Sequence, residues 1–265
     1  MINRIIDKHN EDISQSLIHS IRVIAQNENN KYFWIIRRYY PGSSLAKFDK
    51  SESFWGYDKI RPKYMLRRKQ IIAQVVEAIS ALQGLTNDFR KLNIKKDEFP
   101  KRHFVNLSDN KPESIEKRLN LDLTPHQFFY NKIRSDYLLK ENSLACVADL
   151  SPANIIIRED NRLFFTDFEM FCFDNYTLDV AYLWLFLYQY PNWQSSLINA
   201  LIRNDQDRGY FRASIIRILF QQIYWPAISS RVKDPREQDA YTKKHKWFKY
   251  LMSAGESFEA LMKVK

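Results

Sequence analysis

The chain has 265 residues, 45% of them hydrophobic, with 18 Phe, 15 Tyr and 6 Trp; it can bury a substantial core, which excludes general disorder. It has 5 glycines and 2 cysteines, which favours helices over a turn-rich β-protein and excludes a disulfide framework or a zinc cluster. The formal charge of +10 attracts phosphate-bearing partners or, alternatively, serves solubility through scattered Lys and Arg. No apolar run approaches the roughly 20 residues that cross a membrane, and the segment from Met1 to His9 lacks a signal-peptide core. The expectation is a cytoplasmic protein with no membrane partner.

Residues 3–18 place Ile5, Ile6, Ile13 and Leu17 at roughly helical spacing and predict one helix or two short ones. Residues 20–26 and 31–40 read as strands of a β-hairpin around the turn cluster Asn27 to Asn30, with Pro41-Gly42 as its stop. Residues 43–66 carry no clear pattern. Residues 67–86 predict a helix with apolar face Ile71, Ile72, Val75, Val76, Ile79 and Leu82, stopped near Gly84. Residues 88–111 read as basic and irregular. Residues 112–142 read as one or two helices, the second capped by Thr124 and started by Pro125. Leu144 to Val147, Ile155 to Arg158 and Leu163 to Thr166 read as strands, the last two joined by the turn Glu159 to Asn161, and Asp167 to Asn175 as a loop. From Leu178 onward the pattern is helical: 178–190, 193–203, 208–230 and 237–262. There is no internal repeat and no low-complexity linker, and the expected fold class is α+β.

The chemistry concentrates between Val147 and Glu169. Asp149 and Asn154 stand five apart on a loop between two apolar runs, and Asp167 follows the hairpin that opens after Asn154. A hairpin brings its ends together, so Asn154 and Asp167 are expected to be neighbours. One carboxylate and one amide oxygen, with a second carboxylate nearby, suit a hard cation such as Mg²⁺ whose other ligands are phosphate oxygens. Asp149 is then placed to orient or deprotonate an attacking hydroxyl. Taken singly, Asp149 and Asn154 also fit an ordinary turn, and Asp167 a cap.

This order of motifs resembles the protein-kinase-like superfamily, in the aminoglycoside phosphotransferase and choline kinase branch. That branch often reads His-Gly-Asp-Leu-His-Pro-Gly-Asn, then a strand pair ending in Asp-Phe-Glu; here stand Val147-Ala-Asp149-Leu-Ser151-Pro-Ala-Asn154 and Asp167-Phe-Glu169. Asp179, in Leu178-Asp-Val-Ala181, resembles the family's Tyr-Asp-Leu-Ala segment, and Phe33 to Leu45, through Pro41-Gly42, resembles the strand and hinge between lobes. The resemblance implies a small N-terminal lobe with hinge over 1–41 and a helical catalytic lobe over 42–265. It implies ATP and Mg²⁺ as cofactors and transfer of the γ-phosphate to a hydroxyl of a small-molecule acceptor. It casts Asp149 as base, Asn154 and Asp167 as metal ligands, and Asp179 as structural support. Arg38 and Tyr40 would meet the adenine by their backbone, and Ser151, Ile156 and Thr166 would line the nucleotide.

Two departures matter. Val147 replaces the His that supports the loop. No Gly-rich strand or Val-Ala-Ile-Lys-like lysine precedes residue 20, so the chain is expected to begin inside the N-terminal lobe, and a pseudokinase-like binding protein is the alternative. The basic stretches at Arg61, Lys63, Arg67, Arg68 and Lys69, and at Arg90 to Arg102, read as solvated faces or, less favoured, as sites for an anionic substrate or nucleic acid. His103, His126 and His245 lack partners at metal-ligand spacing. The aromatic run Tyr182 to Tyr190 reads as a buried helix under the catalytic loop, or at its tip part of an acceptor pocket.

Overall fold

The structure is a computed structural model that describes residues 23–28, 33–37, 41–47, 59–91, 143–168 and 170–228. In chain order come β1 (Val23–Glu28), β2 (Phe33–Arg37), β3 (Gly42–Ser44), β4 (Ala46–Lys47), β5 (Lys59–Ile60), α1 (Pro62–Met65), α2 (Arg68–Gly84) and α3 (Thr86–Arg90). Then follow β6 (Ser143–Cys146), β7 (Ile155–Arg158), β8 (Leu163–Phe165), β9 (Cys172–Asn175), α4 (Leu178–Phe186), α5 (Pro191–Leu201) and α6 (Asp205–Ile228). The expected helices within 3–18, 112–142 and 237–262 lie outside the described residues.

The strands form small antiparallel sheets rather than one large one: β1–β2, β3–β7–β8, β4–β5 and β6–β9. The hairpin β1–β2 pairs Phe33 with Glu28, so the first strand runs through Asn27 instead of turning there. Where residues 43–66 show no pattern in sequence, the described residues hold three short strands and α1. Gly42 opens β3 instead of merely ending the hairpin, and its lack of a side chain has a local cause. A Cβ there would come within 2.7 Å of the Ile157 carbonyl oxygen, so β3 could not lie against β7 at this spacing.

The core is built on α2 and α4. On α2, Ile71, Ile72, Val75, Ala78, Ile79 and Leu82 are buried, the 3.6-residue stripe expected of a helix packed on one face. It packs on α5, β6 and β8. Each such aliphatic side chain taken from water contributes about 2 kcal/mol. The helix ends at Gly84, as its composition suggests, but the chain continues at once into α3; residues 88–90 are thus helical, not irregular. Phe89 is the reason, since it is fully buried and its ring meets that of Phe171 at 4.9 Å. α4 is buried from Leu178 through Leu185, an apolar helix all round apart from Asp179, and it packs against α6 and α5.

One expected loop is a strand. Cys172 to Asn175 pairs antiparallel with β6, setting Cys146 opposite Cys172. Among the described residues, no helix is long and apolar enough to cross a membrane.

Candidate active site

β6 delivers the chain into a loop, and the loop is held from below by one side chain. Asp179, in the first turn of α4 and fully buried, accepts the backbone N–H of Val147 at 3.0 Å and of Ala148 at 2.8 Å. Two N–H groups that the turn strips from any strand ladder are thereby satisfied. The hold forces Ala148 into the left-handed region, φ 62°, where the Cβ of any L-residue is strained. Asp149, directly after it, is half-buried.

The loop then closes on itself. The Ser151 N–H donates to the Asp149 carbonyl at 2.9 Å, and a single 3-10 turn, Pro152–Asn154, follows. Asn154 Nδ2 donates to the same Asp149 carbonyl at 3.0 Å. With the amide nitrogen committed there, Oδ1 is the end of the carboxamide left to accept a donor or a cation. The Asn154 carbonyl in turn accepts both the backbone N–H of Thr166 at 2.9 Å and its hydroxyl at 3.1 Å. Asn154 and Thr166 therefore face each other across the mouth of β7–β8, and Asp167 is the next residue, exposed and also left-handed at φ 63°. Asp tolerates that conformation better than most residues.

The far end of the hairpin explains its register. Asn161 N–H bonds the Arg158 carbonyl at 2.9 Å, Arg158 N–H bonds the Arg162 carbonyl at 2.8 Å, and Asn161 takes the positive φ of 65°. This is a short turn closed by a left-handed residue, which fixes the pairing Ile155 with Phe165 and so sets Asn154 opposite Thr166.

Burial pushes the Asp179 carboxyl up from 3.8 to about 6; the two N–H bonds pull the other way, and the carboxylates of Asp174 and Asp149 add to the rise. Burial likewise raises the Tyr182 phenol, which feels the charges of Arg217 and Asp149.

Of the residues singled out in sequence, the structure gathers Asp149, Ser151, Asn154, Thr166, Asp167 and Asp179 around one loop and hairpin mouth. Ile156 is half-buried on β7. The Thr166 hydroxyl fastens the hairpin mouth, so its first partner is the Asn154 carbonyl. Arg38, Tyr40 and Glu169 lie outside the described residues. Sequence reasoning passed over a second support: Arg217 of α6 donates to Asp174 of β9 at 2.6 Å, with both side chains buried. Its signal was a lone arginine in the apolar run Ile215 to Leu219.

Among the described residues no three His, Cys, Asp or Glu gather as a metal cluster. The available donors are Asp167 and the Asn154 carboxamide oxygen, one carboxylate and one neutral oxygen. That pair fits a hard cation that takes its remaining ligands from phosphate and water.

No family model matches the chain, and no curated protein matches it. Solved structures do. A point variant of aminoglycoside 2'-phosphotransferase-IIIa in complex with GDP superposes with TM-score 0.54 at 14% identity, over 94% of this chain and 80% of that one. APH(2")-IIIa solved with GDP and kanamycin gives TM-score 0.56 at 12% identity, over 94% and 81%. A choline/ethanolamine kinase family protein from Mesorhizobium loti gives 0.52 at 13% identity, over 99% and 82%. The chain has the protein-kinase-like fold, in the form found in these small-molecule kinases.

Proposed function

We propose that the protein is a Mg²⁺-dependent phosphotransferase that moves the γ-phosphate of ATP to a hydroxyl of a small molecule. The observation that carries the reading is the hairpin mouth: Asn154 stands opposite Thr166, Asp167 comes next, and Asn154 also bonds the backbone of Asp149. The proposed base and both proposed metal ligands are thus tied to one another by the backbone.

In this reading Asp167 and Asn154 Oδ1 would hold the cation, which would neutralise charge that builds on the transferring group. Asp149 accepts the proton of the acceptor hydroxyl as its oxygen attacks the γ-phosphorus, and the bond to the β–γ bridging oxygen breaks to release ADP. Asp179 fixes the backbone of residues 147 and 148, so that the carboxylate of Asp149 needs no reorganisation when the acceptor arrives. Arg38 and Tyr40 are the proposed adenine contacts, Ser151, Ile156 and Thr166 the proposed nucleotide lining, and residues 1–41 the proposed N-terminal lobe with its hinge. One similar structure is a complex with GDP and kanamycin, and another is a choline/ethanolamine kinase family protein; an aminoglycoside, choline, ethanolamine or a sugar belongs on the acceptor panel.

The test is phosphate release and transfer from γ-labelled ATP and GTP across that panel, in wild type and in Asp149→Ala. The variant should lose about 10²–10⁴-fold of the rate while keeping its fold. Wild-type activity in the variant would sink the assignment. A pseudokinase-like role is the second reading, supported by Val147 standing where the resembling kinases carry a loop-supporting His; it predicts nucleotide binding or partner binding without turnover.

A further inference from the structure

A cavity of about 360 Å³ opens beside the turn end of β7–β8, away from the mouth that carries Asn154. At roughly 3.3 Å per strand residue, Arg158 lies about 13 Å along the hairpin from Asn154. The cavity is lined by Lys63 of α1, by Arg67 and by Arg158, with Ser43, Tyr64 and a single acid, Glu159, also in its wall.

Three cations from two distant parts of the sequence meet at one concavity. Lys63 stands 4.9 Å from the centre of the Tyr64 ring and Arg67 at 6.0 Å from it, so one ring gathers two like charges. Arg67 gives Nε to Gln70 at 3.2 Å, while its Nη2 is buried with no hydrogen-bond partner. Arg158 lies 3.1 Å from Asp160, a carboxylate that Arg162 also holds at 2.7 Å. The Arg162 bond, first of all, keeps the Asp160 carboxyl below its usual range. Ser43 and Tyr64 share a hydroxyl–hydroxyl bond of 2.6 Å, and the pair's second hydrogen reaches the Ser43 carbonyl at a weak 3.5 Å. Among the described residues, three cations and one acid line this polar concavity. A concavity with more cations than acids, and with the Arg67 Nη2 buried without an acceptor, is the complement of a multivalent anion.

We propose that this cavity binds the phosphomonoester group of a small molecule, at a site separate from the proposed nucleotide cleft. A phosphomonoester dianion presents three oxygens in different directions, which matches the three cations Lys63, Arg67 and Arg158 around the cavity better than a planar carboxylate does. The volume exceeds that of bare phosphate and leaves room for a short organic body. Met65, 41% exposed, and Leu66, fully exposed, lie between the lining residues Tyr64 and Arg67 in the chain. The same group could therefore arrive free or as the headgroup of a phospholipid.

The experiment uses the full chain at fixed ionic strength, with sulfate-free buffer. Inorganic phosphate and glycerol 3-phosphate are titrated calorimetrically, and vesicles containing phosphatidic acid are compared with phosphatidylcholine vesicles by co-sedimentation. Wild type is set against Lys63→Glu, a change at an exposed side chain, and against Arg67→Gln, with circular dichroism confirming that both fold. Binding of glycerol 3-phosphate that weakens at least about tenfold in both variants supports the proposal with a free ligand. Vesicle binding specific to phosphatidic acid and lost in both variants supports it with a lipid source. Absence of both, or binding unchanged by the variants, overturns it. So does binding displaced by Mg·ATP, since the anion would then occupy the nucleotide cleft.

Discussion

Ala148 is the residue at which backbone strain and proposed chemistry meet. A left-handed Ala costs about 1–2 kcal/mol relative to a right-handed one, and it sits one residue before the proposed base, where the resembling kinases carry Gly. Ala148→Gly should relieve the strain and raise stability by about 0.5–1 kcal/mol, read as a higher urea midpoint at constant slope. A lower midpoint would show that the methyl group, buried at 1% exposure, contributes more than the strain costs. Asp179 supplies the hold that imposes this conformation. Its folded pKa of about 6 lies above its ordinary 3.8. The folded state therefore retains that proton more strongly, and the stabilisation is complete below about pH 4 and lost as pH rises through 6, by about 3 kcal/mol. Asp179→Asn removes this dependence. The stability of wild type minus that of the variant should fall between pH 4 and pH 7 in urea melts; a flat difference would contradict the buried, proton-retaining carboxyl.

At the scale of elements, the hairpin β7–β8 carries the proposed site. Thr166→Val deletes the hydroxyl that donates to the Asn154 carbonyl and should cost about 1 kcal/mol. Because it loosens Asn154, it should also weaken Mg²⁺-dependent nucleotide binding; an unchanged affinity would show that the backbone bond suffices. This hairpin was legible because Ile155 to Ile157 and Leu163 to Phe165 are apolar runs flanking an Asp-Asn turn. β9 was not. Cys172-Phe-Asp-Asn175 reads as a polar loop, and what makes it a buried strand is its pairing with β6 and the Arg217 guanidinium 43 residues further on. Arg217→Ala leaves Asp174 buried and uncompensated, and should cost about 3–5 kcal/mol in denaturant melts. A loss under 1 kcal/mol would mean that the Asn175 N–H, which also donates to Asp174 at 2.7 Å, holds the carboxylate without the guanidinium.

Over the molecule as a whole, the order of motifs was the readable feature. The α2 stripe, the loop, the hairpin and α4 each have local periodicities or turn residues that announce them, and their succession carried the fold. The three strands and α1 between Gly42 and Met65 were opaque because runs of two to four residues have no periodicity to detect; β3 is a strand because Gly42 admits the Ile157 carbonyl. The same opacity hid the cavity at Lys63 and Arg67, whose cations read as a solvated face until Arg158 was brought beside them. The proposed function requires that Asp167 and Asn154 hold a cation on a bound nucleotide. A calorimetric titration of ATP, then GTP, into wild type and Asp167→Ala, each with Mg²⁺ and with chelator, tests it most directly. One of the two nucleotides should bind only with Mg²⁺, and that binding should be lost in the variant. Binding that ignores both the metal and the substitution, or no binding of either nucleotide, would contradict it.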